Sequence, residues 1–122
     1  MTFQEIGAQF IGHYFESLKS NRQNMAPLYT NDSMLSYEGE QFLGNEQIMG
    51  KVGGLPGLVF DSANATIDYQ PSVNDGIFCF ISGNLMIEGS DQALRFTQTF
   101  LLQKGGTNGY YIHNEVFRLN LG

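Results

Sequence analysis

From the third residue onward, apolar side chains recur at intervals of three and four. Phe3, Ile6, Phe10, Tyr14 and Leu18 form a stripe, widened by Ile11 and Phe15, while Gln4, Gln9, Glu16 and Lys19 fall on the other side. This spacing predicts an amphipathic helix over residues 3–20. Thr2 and Glu5 supply a capping box at its start, the hydroxyl accepting from a free amide of the first turn while the carboxylate reaches back. A second, shorter helix is expected over residues 23–28, limited by Pro27, whose ring clashes with the preceding turn.

Residues 33–38 read as a strand, and Gly39 and Gly44 bracket a tight reversal with a short return strand. Asn45 is expected to cap a third helix running to Val52, which Gly53 and Gly54 end before residues 55–57 turn the chain outward. Beyond that point the period becomes that of strands, at residues 58–69, 77–87, 94–104 and 110–119, with turns at 71–76, 89–92 and 105–109. Such spacing means an antiparallel meander. Positive φ is expected at the glycine pairs 53–54 and 105–106, and a bulge at Gly83 inside its apolar strand.

Helices first and strands last argue for an α+β fold, one domain over residues 1–122, with the helices on one face of a strongly twisted sheet. The opposite face is apolar too. Ile77, Phe78, Cys79, Phe80 and Ile81 show no polar alternation; Phe96, Phe100 and Leu102 face one layer while Leu101 faces the other; and Ile112 and Val116 oppose Phe117 and Leu119. Helices cover one side only, so a second copy is expected to bury the other, as a homodimer.

Charge narrows the list of partners. Six Lys+Arg against twelve Asp+Glu leave a net charge of -6 and a pI near 4.6, the wrong sign for tracking phosphates, so no nucleic-acid partner is expected. With 42% hydrophobic and 15% charged residues the chain is too apolar to be disordered. Its apolar runs are too short to span a bilayer, and Gln4 and Glu5 stand where a signal peptide is basic, so neither membrane insertion nor secretion by that route is expected. Cys79 is the only cysteine, which precludes an internal disulfide and suits a reducing compartment. His13 and His113 belong to no metal-ligand spacing, and no phosphate-cradling or nucleophile-elbow string occurs, so neither metal nor cofactor is expected.

Two constellations carry candidate chemistry. Asp68, with Tyr14 or Tyr37 as hydrogen-bond donor, would make a general base in a dry pocket between sheet and helix, although an Asp near Pro71 at a strand end is ordinarily solvated. The stronger constellation combines carboxylates with aromatics. Glu38 and Glu40 at a strand end, and Glu88 with Asp91 at a hairpin tip, flank a mouth lined by Tyr37, Leu55, Val59 and Phe117. A partner would insert an aromatic anchor there while its flanking cations meet the acidic rim.

Tyr37-Glu38-Gly39-Glu40-Gln41-Phe42-Leu43-Gly44, Thr97-Gln98-Thr99-Phe100-Leu101-Leu102 and Asn114-Glu115-Val116-Phe117-Arg118-Leu119-Asn120, in that order and spacing, resemble segments of the nuclear transport factor 2 family. The resemblance covers essentially the whole chain, including Phe10-Ile11-Gly12-His13-Tyr14-Phe15 and Leu55-Pro56. It implies a cone-shaped α+β fold that dimerises through its sheet, and a carrier without catalytic activity. It further implies binding to the small GTPase Ran in its GDP form and to Phe-Gly repeat nucleoporins, and a location in cytoplasm and nucleus, concentrated at the nuclear pore. Carried over by position, Glu38 pairs with a basic side chain of the GTPase switch region, and Tyr37, Leu55 and Phe117 receive its aromatic anchor. Val59 joins that lining, Glu88 matches an acidic rim residue, Asp91 shares its hairpin tip, and Phe3 matches an aromatic implicated in repeat binding. Phe3 and Tyr37 stand where many members have Trp, and Gly57 where an aromatic is common. The same fold hosts steroid isomerases and dehydratases, which keeps a small-molecule or enzyme reading open.

Overall fold

The computed structural model describes residues 1–106 and 109–120. Part of the turn expected at 105–109 therefore lies outside the described residues. Helix α1, Phe3–Ser20, begins at the predicted capping box: the Glu5 amide donates to Thr2 Oγ1 (3.2 Å) and the Thr2 amide to Glu5 Oε1 (3.4 Å). A 3₁₀ turn, Arg22–Leu28, replaces the second predicted helix and contains Pro27, which has no amide to give to an α-helical ladder. Strands β1 (Met34–Tyr37) and β2 (Glu40–Leu43) form a hairpin, followed by α2 (Gly44–Val52). Then come β3 (Leu58–Phe60), β4 (Thr66–Pro71), β5 (Ile77–Ile87), β6 (Ala93–Lys104) and β7 (Tyr110–Leu119).

The strands make one curved, open mixed sheet in the order β2-β1-β7-β6-β5-β3, with β4 also on β5. The late strands form the expected antiparallel meander, whereas β1 lies parallel to β7. The single strand expected over 58–69 is broken. Its first part pairs with the end of β5 (Leu58↔Ile87) and its second with the start (Thr66↔Ser82), and a 3₁₀ turn at Ser62–Asn64 bridges the gap. Gly83 sits opposite that gap, where a Cβ would come within 3.2 Å of Ala65 Cβ. It makes close packing possible and marks no bulge, since β5–β6 pairing runs unbroken through Gly83↔Phe96.

The irregularity lies instead in β6–β7, where Leu101 faces Asn114 and Leu102 faces Ile112, leaving His113 over. One extra residue reverses the alternation, so Ile112 joins Phe117 on the buried face while Val116 points out, contrary to the sequence expectation. Two further expectations are corrected. Gly53 ends α2 with a helical φ of −63°, because its amide still bonds to Met49 O. Asn45 caps nothing: its Nδ2 donates to Ala26 O (2.7 Å) and Tyr29 O (3.0 Å), tying α2 to the 3₁₀ turn.

The core lies between the helices and the concave face of the sheet, where Ile11, Tyr14, Phe15 and Leu18 of α1 meet Ile77, Ile81, Phe96, Phe100 and Ile112. The convex face is uncovered, and there Phe78 and Phe80 are each 39% exposed and Val116 43%.

Candidate functional site

The β1–β2 hairpin turns through Glu38 and Gly39, both at positive φ (52° and 88°), the left-handed pair that a two-residue hairpin favours. Glycine takes this conformation freely, whereas glutamate has to be held in it. Two contacts hold it. The Glu38 amide donates to Phe117 O (3.0 Å), and the Glu38 carboxylate accepts from the Leu119 amide, so the side chain prolongs the β1–β7 ladder beyond the strand. Glu38 thus stands half-buried at the end of β7, with one oxygen already engaged.

Pairing of β1 with β7 sets Tyr37 opposite Phe117, and the rings stack with centroids 4.6 Å apart and planes 7° from parallel. Behind them Phe96 packs 5.6 Å from Phe117. Phe117 is buried and Tyr37 half-exposed, so the outer ring is the accessible end of an aromatic column. Burial, with Glu38 nearby, raises the Tyr37 hydroxyl above its ordinary pKa. Lys51 Nζ lies 5.1 Å from the Tyr37 centroid and 3.6 Å from Glu40 Oε1.

The segment carrying Leu55 is pinned by Arg22, which the sequence does not single out. Its Nε donates to Leu18 O (2.6 Å), Nη1 to Val52 O (2.6 Å) and Leu55 O (3.0 Å), and Nη2 to Pro56 O (2.5 Å). The guanidinium thereby neutralises the carbonyl ends of both α1 and α2, where the helix dipoles are negative. From the other side, the Glu88 amide donates to Gly57 O (2.8 Å), and the Glu88 side chain lies over Gly57 so closely that a Cβ there would collide with its carboxylate. Residues 55–57 are thus clamped between Arg22 and the β5–β6 hairpin. Glu88 and Asp91 project from that hairpin tip, both exposed.

Tyr37, Glu38 and Phe117 accordingly come together, and Leu55 is tied to Glu88 through its loop. Val59 lies elsewhere: it walls a cavity of about 430 Å³ between α1 and β3–β4, with Ile11, Phe15, Phe60, Ile67 and Tyr69. Phe3 stands at the far end of α1, beside Ile6, Pro71, Ile77 and Tyr110 around a cavity of about 300 Å³. An 18-residue helix is about 27 Å long, and that length separates Phe3 from the Arg22 clamp.

The enzyme constellation is not assembled. Asp68 is exposed on β4, Tyr14 is buried against the core, and the two do not meet. What Tyr14 does meet is Glu115, a residue not singled out in the sequence although it sits two positions before the inward-facing Phe117. Glu115 Oε2 accepts from Tyr14 Oη (2.6 Å) and Gln98 Nε2 (2.6 Å), and Oε1 from Tyr29 Oη (2.7 Å). Glu115 and Gln98 are each 2% exposed. Burial raises the Glu115 carboxyl above its usual range against the pull of the three donors, and burial next to Glu115 pushes both tyrosines well up. Among the described residues, no buried side-chain polar atom lacks a partner and no group of three or more His, Cys, Asp or Glu could hold a metal. His113 bonds to Tyr111 Oη (3.1 Å), and His13 is exposed on α1. Burial pushes the Cys79 thiol up to about 12, which leaves it without thiolate reactivity.

The nuclear transport factor 2 (NTF2) domain family matches residues 6–119. Nuclear transport factor 2 of Oryza sativa subsp. japonica is 38% identical over 123 residues, covering 100% of both chains. That of Davidiella tassiana is 40% identical over 119 residues, or 96% of this chain and 94% of the relative. The structure of nuclear transport factor 2 (Ntf2) from Cryptosporidium parvum superposes with a TM-score of 0.87 at 38% identity, over 97% of this chain and 94% of that one. With the family match running from α1 to the end of β7 and the same curved sheet closed on one side by helices, the chain belongs to the nuclear transport factor 2 domain family.

Proposed function

We propose that this protein is a non-enzymatic nuclear import carrier that binds the GDP form of the small GTPase Ran and Phe-Gly repeat nucleoporins, returning Ran to the nucleus. It shuttles between cytoplasm and nucleus and concentrates at the pore. The observation carrying this reading is the half-exposed Tyr37 ring backed by buried Phe117, with Glu38 and Glu40 at its edge. An aromatic anchor gains area against such a column, and the carboxylates attract the cations beside it. The clamped loop at Leu55 and the exposed Glu88 and Asp91 extend the rim. Because the switch region of the GTPase changes shape with its nucleotide, contacts made only in the GDP conformation select that state.

Phe3, about one helix length away, is free to touch Phe-Gly repeats while the mouth is occupied. A homodimer formed through Phe78, Phe80 and Val116 doubles both sites, so that weak, fast repeat contacts act by avidity. Exposed Asp68 and sealed Glu115 leave the isomerase or dehydratase alternative without an acid–base pair in a cavity.

The test is a calorimetric titration with Ran loaded with GDP or with a non-hydrolysable GTP analogue. Glu38→Gln keeps an oxygen for the Leu119 amide and removes the charge. It is expected to weaken binding to the GDP form about tenfold or more, with the dimer and its melting temperature unchanged. Equal affinity of wild type and variant would refute the assignment of Glu38; equal affinity for both nucleotide forms would refute the carrier mechanism.

A further inference from the structure

Tyr37 has two ring faces, and Phe117 lies parallel to one of them at 4.6 Å between centroids. A ring packed that closely leaves an ammonium no room on the same side, so Lys51 Nζ, 5.1 Å from the Tyr37 centroid, stands over the other. The same nitrogen is 5.8 Å from the Phe42 centroid and 3.6 Å from Glu40 Oε1. These partners share one face of the hairpin: Tyr37 pairs with Glu40 across it, and Phe42 follows Glu40 by two residues on β2. Two ring faces and a carboxylate around one point are the chemistry that holds a cation. In an acidic chain with only six Lys+Arg, one of them fills that point from the last turn of α2.

We infer that Tyr37, Phe42 and Glu40 form a binding site for a Lys or Arg side chain of a protein partner, and that Lys51 is the chain's own placeholder in it. The inference rests on the reading of the mouth given above, and it names which cation of the partner goes where: over Tyr37 and Phe42, beside Glu40. Lys51 is held by one ion pair at 3.6 Å to an exposed carboxylate and by two cation–π contacts, each weak on its own, so a partner's cation can take its place. While in place it covers the outer Tyr37 face and repels an approaching basic segment, two effects of the same sign. Lys51 therefore sets how basic and how closely fitting a partner has to be before the mouth accepts it.

Two substitutions separate this role from simple packing. Lys51→Met keeps an unbranched stem and a comparable helix propensity but loses the charge; Lys51→Arg keeps a cation over the rings. Titrated with GDP-loaded Ran, Lys51→Met is expected to bind about fivefold tighter than wild type, the gap narrowing at high salt, and Lys51→Arg to stay within about twofold of wild type. In proton NMR of the free protein, the Lys51 ε-methylene resonance is expected to be shifted upfield by the rings and to return to its ordinary position on binding. Wild type that binds while Lys51→Met binds no tighter, or a free-protein resonance at the ordinary position, overturns the placeholder alone. Binding by neither wild type nor Lys51→Met overturns both the placeholder and the carrier reading.

Discussion

The molecule sets tyrosine rings beside glutamates in two places with opposite results. Around Glu115, three donors saturate the carboxylate at 2.6–2.7 Å behind a layer of core side chains. Around Tyr37, the carboxylates of Glu38 and Glu40 keep part of their surface in water, and Lys51 lies over one ring face. Burial decides between them: a sealed, satisfied carboxylate holds secondary-structure elements in register, while a half-solvated one beside an apolar ring remains available to a partner.

Removing the two carboxylates in parallel tests that contrast most severely. Glu115→Ala leaves two buried tyrosine hydroxyls without their acceptor and the Gln98 amide with Tyr14 Oη alone, opens a cavity, and is expected to cost about 3–5 kcal/mol in urea unfolding. Glu38→Ala loses one backbone contact and is expected to cost about 1 kcal/mol. Similar losses from both would erase the distinction.

A smaller effect is expected from pH. Burial lifts the Glu115 carboxyl above its ordinary value of 4.5 in the folded protein, while the unfolded chain titrates near that value. As pH rises from 4.5 towards the folded pKa, the folded form keeps a proton that the unfolded form has released, so this group makes stability fall across the window and level off above it. Glu115→Gln, which cannot ionise and still accepts one donor, is expected to flatten that fall in melting curves recorded from pH 4 to 8. An unchanged slope would mean that the buried carboxyl titrates normally.

The smallest effect belongs to the rim. Gly57→Ala places a methyl group against the Glu88 side chain, which has open solvent to swing into. Stability is expected to change by less than about 1 kcal/mol, while affinity for GDP-loaded Ran falls because a rim carboxylate has moved. A large stability loss would show that the hairpin tip is as tightly built as the core.

Much of this was legible in advance because it depends on local spacing. The α1 stripe, the capping box, β5 and β7 are period-and-cap features, and each stands with the ends that the pattern predicts. Tyr37 and Glu38 were legible as a strand-end pair, and Phe117 as part of the same lining. Glu115 is not legible in the sequence, because a glutamate in a strand normally marks the wet side, and only Tyr14 and Tyr29, 101 and 86 residues distant, make its burial tolerable. Val59 was not legible, because only the pairing of β3 with the end of β5, a long-range contact, sets it against the cavity beside α1.

By itself, the sequence determined the course of α1 and of the long strands β5, β6 and β7, that two apolar faces exist and only one has helices to cover it, and that the net charge is negative. Those properties follow from residue spacing and composition, which neighbours along the chain set. Tertiary structure alone decided that Ile112 and Val116 fall on opposite sides, that Arg22 gathers four carbonyls from two helix ends and a loop, and that Lys51 rests on Tyr37. Each depends on a register shift or on groups far apart in sequence meeting at a few ångströms, and no local pattern encodes such a distance.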